Sequence, residues 1–146
     1  MTYKYEIIRK TFNLEDNEKN SWVNWQKHMK FNRNIQRENE IYYDILNLKD
    51  NEDYILKNHT LSKGEKRHFE IDTKHKTVEI SIIPGYSMFD WSKVIENAKE
   101  IWTIDTAINY LIESINTRAE KLVVFARHHD TKKALGHIWN KDWEWK

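Results

Sequence analysis

Asp90-Trp91-Ser92-Lys93-Val94-Ile95-Glu96-Asn97-Ala98, followed by Glu100-Ile101-Trp102-Thr103-Ile104-Asp105-Thr106-Ala107-Ile108 and, after a short gap, Lys121-Leu122-Val123-Val124-Phe125-Ala126, is the stretch that decides the fold. Trp91, Val94, Ile95 and Ala98 share one helical face, and Asp90 stands where an N-cap belongs. Phe89 and Val94 take the N′ and N4 positions of a hydrophobic staple. Glu100 to Ile104 then reads as a short strand. Asp105 opens a second helix whose one face holds Ala107, Ile108, Leu111, Ile112 and Ile115. The last segment is an unbroken apolar run, as expected of a parallel strand covered on both faces. Helices and strands alternating in this way give a doubly wound α/β domain.

Upstream, Thr77 to Ile82 continues the strand pattern and stops at the turn pair Pro84-Gly85. Asp53 to Asn58 is a further β-prone run, followed by the polar stretch His59 to His68, which contains Gly64. Farther back the period changes. Ile35 to Leu46 reads as a helix with the stripe Ile41, Tyr42, Ile45 and Leu46. Asp16 to Phe31 reads as another, with Trp22, Trp25 and Met29 on one face, and Tyr3 to Ile8 as a short strand or ordered arm. Downstream, the aromatic tail with Trp139, Trp143 and Trp145 is expected to cover an edge of the core. The expectation is a Rossmann-like three-layer α/β fold with a small, mostly parallel sheet and extra N-terminal helices. It forms one domain over residues 1–146, with residues 1–50 helical and residues 51–146 the Rossmann-like core. The expected core is Ile55, Val78, Ile80, Val94, Ile95, Ile101, Ile108, Leu111, Ile112, Leu122, Val124 and Phe125.

Composition narrows the function classes. The 146 residues carry 24 basic and 23 acidic side chains, a formal net charge of +1, so no global field recruits nucleic acid or an anionic membrane. There is no cysteine, hence no disulfide and no thiolate chemistry. No apolar run approaches the ~18 residues of a membrane span, and no signal-peptide pattern appears, so a cytoplasmic location is expected. The seven histidines lack zinc-ligand spacing, and no metal site is expected. No nucleophile elbow is present.

In doubly wound sheets ligands sit outside the carboxyl ends of the strands. Residues 59–68, residues 84–89, residues 103–106 and Arg127 belong to that edge. Thr103, Asp105 and Thr106 place two hydroxyls and a carboxylate where a helix begins, and free N–H groups at such a terminus attract phosphate. The plainer reading of Asp105 is an N-cap. Ser62-Lys63-Gly64-Glu65-Lys66-Arg67 joins three cations to a glycine that permits close approach, although it has neither P-loop nor dinucleotide-fingerprint spacing. The plainer reading of such a loop is a solvated hairpin.

Residues Phe89 to Ala98, running into Ile101-Trp102-Thr103-Ile104-Asp105-Thr106-Ala107 and Glu113, resemble the donor-binding C-terminal half of two-domain GT-B type glycosyltransferases, close to small predicted enzymes of bacteria and phages. The resemblance covers roughly residues 53–127. It implies that Thr103, Asp105 and Thr106 face the donor's diphosphate or sugar, and that Ser62, Lys63 and Arg67 supply phosphate contacts. It implies further that Gly85, Tyr86, Ser87 and Met88 line the base pocket, with Glu113 a weaker carry-over. The implied partner is a nucleotide-sugar or another phosphorylated small molecule, with no cofactor required. The departures are the missing glycine-rich loop and the missing first domain: about 70 residues precede the second core strand, against ~100–150 for a typical domain. The alternative is a non-catalytic interaction module reusing a half fold, as homodimer or with a protein partner.

Overall fold

In the run Tyr54–Asn58 every residue but Lys57 is buried, which requires cover on both faces of its strand. The computed structural model describes residues 25–27, 29–61 and 64–146 and supplies that cover. Five strands, β1 (Tyr54–Asn58), β2 (Lys76–Glu79), β3 (Glu100–Ile104), β4 (Lys121–Phe125) and β5 (Trp143–Trp145), form one sheet in the order β2-β1-β3-β4-β5. All four pairings are parallel, with Leu56 opposite Val78 and Ile101, and Ile101 opposite Leu122. The fold is therefore Rossmann-like α/β, as the sequence leads one to expect.

The described helices are α1 (Ile35–Asn39), α2 (Ser92–Asn97), α3 (Ala107–Ser114) and α4 (Thr131–Leu135). One hydrophobic cluster joins α2, α3 and, through Leu135, α4 to alternate strand residues: Tyr54 and Leu56, Val78, Ile101, Leu122 and Val124, and Trp143. The helical layer thus packs on one sheet face. On the other face Ile55, Ile104 and Val123 are fully buried, and Phe69 of the β1–β2 connection stacks on Phe125 at 4.3 Å. Of the expected core residues, Ile80 and Phe125 are only half-buried and the rest are buried.

Several local expectations are corrected. Neither Asp90 nor Asp105 is the N-cap of its helix. Ser87 precedes a 3-10 turn, Met88–Trp91, that runs into α2, and Asp90 is its third residue. The Asp90 carboxylate accepts the Ser87 N–H at 2.7 Å, the reciprocal half of a capping box. Phe89 and Val94 are therefore not the staple pair. At α3 the cap is Thr106, whose N–H is accepted by the Asn109 side chain at 3.2 Å. Asp105 stands one residue earlier.

The helix expected over Ile35 to Leu46 is α-helical only to Asn39, then widens into a π-helix over Glu40–Ile45. The wider turn brings Ile41 and Tyr42 fully into the core, leaves Ile45 45% exposed, and ends at Asn47 with a positive φ of 50°. The strand expected to reach Ile82 stops at Glu79, because its partner β1 ends at Asn58 and, among the described residues, no other strand pairs with this edge; Ile82 is 96% exposed. The helix expected over Asp16 to Phe31 lies outside the described residues except for the 3-10 turn Trp25–Lys27 and the irregular stretch after it. The segment Tyr3 to Ile8 also lies outside the described residues. The aromatic tail does more than cover an edge, since Trp143–Trp145 adds the fifth strand beside β4.

Candidate functional site at the carboxyl edge of the sheet

Because every strand is parallel, residues 59, 80, 105 and 126 all leave the sheet at one edge. The chain turns from β1 to β2 on one side, whereas β3 lies on the other side of β1. The gap between those two departures is a topological switch point, where open α/β sheets bind ligands. A cavity of about 480 Å³ opens there. Its floor is Asn58 and His59 at the end of β1, with Thr106, Ala107 and Ile108 at the start of α3. One wall is a hairpin that extends β1: Thr60 pairs with Lys66, and the Leu61 carbonyl accepts the Gly64 N–H at 2.9 Å. Gly64 adopts a φ of +82°, which a residue with a Cβ rarely does. The other wall is apolar, formed by Ile80, Ile82, Ile83, Met88 and Trp91.

A buried polar chain holds the floor. Asn109 donates to the Thr103 hydroxyl at 2.7 Å and accepts the Thr106 N–H. The Asn58 amide donates to the Thr106 hydroxyl at 2.9 Å, tying β1 to α3 across the switch point. Thr103 and Asn109 are both fully buried, so their polar groups are committed to each other.

His59 differs. It is 5% exposed and lines the cavity; its Nε2 lies 3.4 Å from Glu79, while its Nδ1 is buried with no hydrogen-bond partner among the described residues. Burial lowers its pKa below the ordinary histidine value; Glu79 opposes that shift, and Lys57, Lys66 and His68 add to it. The ring is thereby biased toward neutrality.

The candidate residues from the sequence are distributed as follows. Thr106 reaches the cavity, as do Tyr86, Ser87 and Met88 on its far side. Gly85 forms the turn before them, with a φ of +87°. Tyr86 donates to Glu40 at 3.0 Å and lies under the Arg37 guanidinium. Thr103 is sealed beneath the floor. Asp105 is 3% exposed and faces Arg127, Nε to carboxylate 3.4 Å, so these two engage each other beside the cavity. Arg67 donates to the Ala126 carbonyl, pinning the hairpin to the end of β4, and does not line the cavity. Ser62 and Lys63 lie outside the described residues. Among the described residues, Lys66 is the cation on the cavity wall.

Glu113 is not part of this site. Its buried carboxylate accepts from the Trp143 indole at 2.6 Å, the Asn140 N–H at 2.8 Å and the Lys141 N–H at 3.2 Å, so it anchors the C-terminal segment. Sequence reasoning missed Asn58, His59, Lys66 and Glu79 as a group. A polar pair at the carboxyl end of the first core strand was the available signal for the first two. The described residues contain no cluster of three His, Asp or Glu side chains placed to hold a metal ion. No described helix is long and apolar enough to cross a membrane.

Comparison with protein families, with curated proteins and with solved structures finds no match for this chain.

Proposed function

We propose that this chain is a glycosyltransferase-like domain that binds a nucleoside diphosphate or its sugar conjugate in the carboxyl-edge cavity. The observation that carries the reading is the position of the cavity: it lies at the switch point, with the N-terminus of α3 on its floor and Lys66 on its wall. The free N–H groups of the first helical turn and the lysine suit a diphosphate. The apolar wall of Ile80, Ile83, Met88 and Trp91 suits the flat face of a base. In sugar transfer the same groups would stabilise the nucleoside diphosphate as it departs. The acceptor wall, which a second domain provides in two-domain enzymes, is a separate requirement.

Thermal-shift screening with UDP-, GDP-, ADP- and CMP-linked sugars tests this reading. A specific ligand at a hundredfold excess over its Kd stabilises the native state by ~2.7 kcal/mol. Ala107→Glu is the matched control. An acidic residue suits the first turn of a helix, so α3 remains stable, while the added carboxylate repels an incoming diphosphate. Binding by the parent chain and its loss in this variant are expected; binding that survives Ala107→Glu removes the α3 terminus from the site.

A second reading, an interaction module with a protein partner or a second copy, is favoured by one observation. The cavity's apolar lip includes Ile82, 96% exposed, beside Ile80 and Ile83. A uniform null in the ligand screen, together with concentration-dependent self-association abolished by Ile82→Lys, would establish that reading instead.

A further inference from the structure

Among the described residues the sheet ends at β2, and the register there fixes which backbone groups face outward. Lys57 stands opposite Glu79, and the Ile80 N–H donates to the Lys57 carbonyl at 2.8 Å, so the ladder with β1 takes up the N–H and carbonyl of Val78. Those of Thr77 and Glu79, on either side of Val78, point away from the sheet. Their side chains share one sheet face and are exposed, whereas Val78 between them is buried. β2 has no proline and its pairing with β1 has no bulge, two devices that commonly protect a sheet edge.

This edge matches a copy of itself. Antiparallel pairing of two β2 strands about a two-fold axis at Val78 sets Thr77 of each copy opposite Glu79 of the other. Both residues carry the outward groups that such a pair exchanges, and a hydroxyl able to donate then stands opposite a carboxylate at each end. The neighbouring registers fit less well. Pairing centred on Thr77 needs the His75 N–H, which already donates to the Thr73 hydroxyl at 3.0 Å. Pairing centred on Glu79 sets two carboxylates directly against each other.

We infer that a second copy of this chain docks on β2, joining the two sheets into one with Thr77 opposite Glu79 across the two-fold axis. Glu79 also lines the carboxyl-edge cavity, so each copy places its Thr77 beside the other's cavity wall. The pairing stands independently of the nucleotide reading, and it uses backbone and polar groups rather than the apolar lip at Ile82.

Sedimentation equilibrium of the full chain over a wide concentration range should show a monomer–dimer equilibrium. Thr77→Glu creates two like-charge contacts and should weaken the dimer about tenfold, with part of the loss recovered at high salt. Thr77→Lys, a side chain of comparable length, should leave the dimer as tight or tighter, a split that a purely local role for Thr77 would not give. Thr77→Pro removes an outward N–H that β1 does not use, so the monomer should keep its circular-dichroism spectrum while the dimer is lost. The chain has no cysteine, so cross-linking reads the register cleanly. A mixture of Thr77→Cys and Glu79→Cys chains should form interchain disulfides under mild oxidation faster than either variant alone, because only the mixture sets two thiols directly opposite. A parent chain that stays monomeric at every concentration overturns the inference. A dimer on which Thr77→Glu and Thr77→Lys act alike overturns it too. A dimer that Ile82→Lys dissociates and the Thr77 variants do not also overturns it, and assigns self-association to the cavity lip. None of these outcomes bears on the nucleotide reading, which the melting screen decides.

Discussion

Two buried polar side chains, Glu113 and His59, illustrate how the same residue class serves different ends. Glu113 accepts from an indole and two backbone N–H groups of the C-terminal segment and from the Gln26 side-chain amide at 3.1 Å. Glu113→Ala leaves those donors unpaired inside the protein, at a cost of about 1–3 kcal/mol for each buried group left so. Urea denaturation should show a loss of at least ~2 kcal/mol with tryptophan fluorescence changed; a loss below ~0.5 kcal/mol would mean the anchor contributes nothing. His59 instead has a buried nitrogen without a partner among the described residues, and a lowered pKa. The unfolded chain therefore binds a proton at higher pH than the native one does. Its stabilising contribution is full above the ordinary value near 6.5 and is lost as pH falls through the lower native pKa. Glu79 faces the ring and limits the effect, whereas Lys57, Lys66 and His68 enlarge it. The parent chain should lose more stability than His59→Asn between pH 7.5 and pH 5.5. Equal losses would show that His59 titrates alike in both states.

At the scale of elements, each helix facing the site is fixed by a short polar device at its start. The Asp90 carboxylate also receives the Ser87 hydroxyl at 3.0 Å and faces Arg37 of α1 at 3.3 Å, so it joins two elements as well as closing a turn. Asp90→Ala should cost ~1 kcal/mol, the usual worth of a cap, measured by chemical denaturation. Asn109→Ala should cost more, because it removes a partner from both Thr103 and Thr106. These devices were half legible. An acidic residue before an apolar run signals a helix start, but the position of the first turn depends on which backbone N–H the side chain actually meets. For Asp90 that is the N–H three residues upstream, and for Asp105 the capping passes to its neighbour Thr106. β5 was less legible still, because a strand of three residues, Trp143 to Trp145, carries little period of its own. It forms because β4 offers an open edge and because Trp139 and Trp145 stack at 4.9 Å over the end of the core.

For the whole molecule, the central test is the parallel core. Val124 is fully buried between β3 and β5, and Val124→Asp should prevent cooperative folding, since an unpaired buried charge costs several kcal/mol. A soluble, cooperatively melting Val124→Asp chain would refute this placement. The sequence by itself determined the α/β class, the strands β1, β3 and β4, and the sheet edge at which the cavity opens. Apolar runs and helical stripes report burial, and burial in a parallel sheet leaves few topologies. Tertiary structure alone decided which polar residues meet. Arg67 and Arg127 look like free cations in the chain, yet one is spent on the Ala126 carbonyl and the other on Asp105. Conversely, His59 and Glu79, twenty positions apart, become neighbours because β1 and β2 run side by side with Lys57 opposite Glu79. Pairing between strands is set by the register of the whole sheet, which no local pattern encodes.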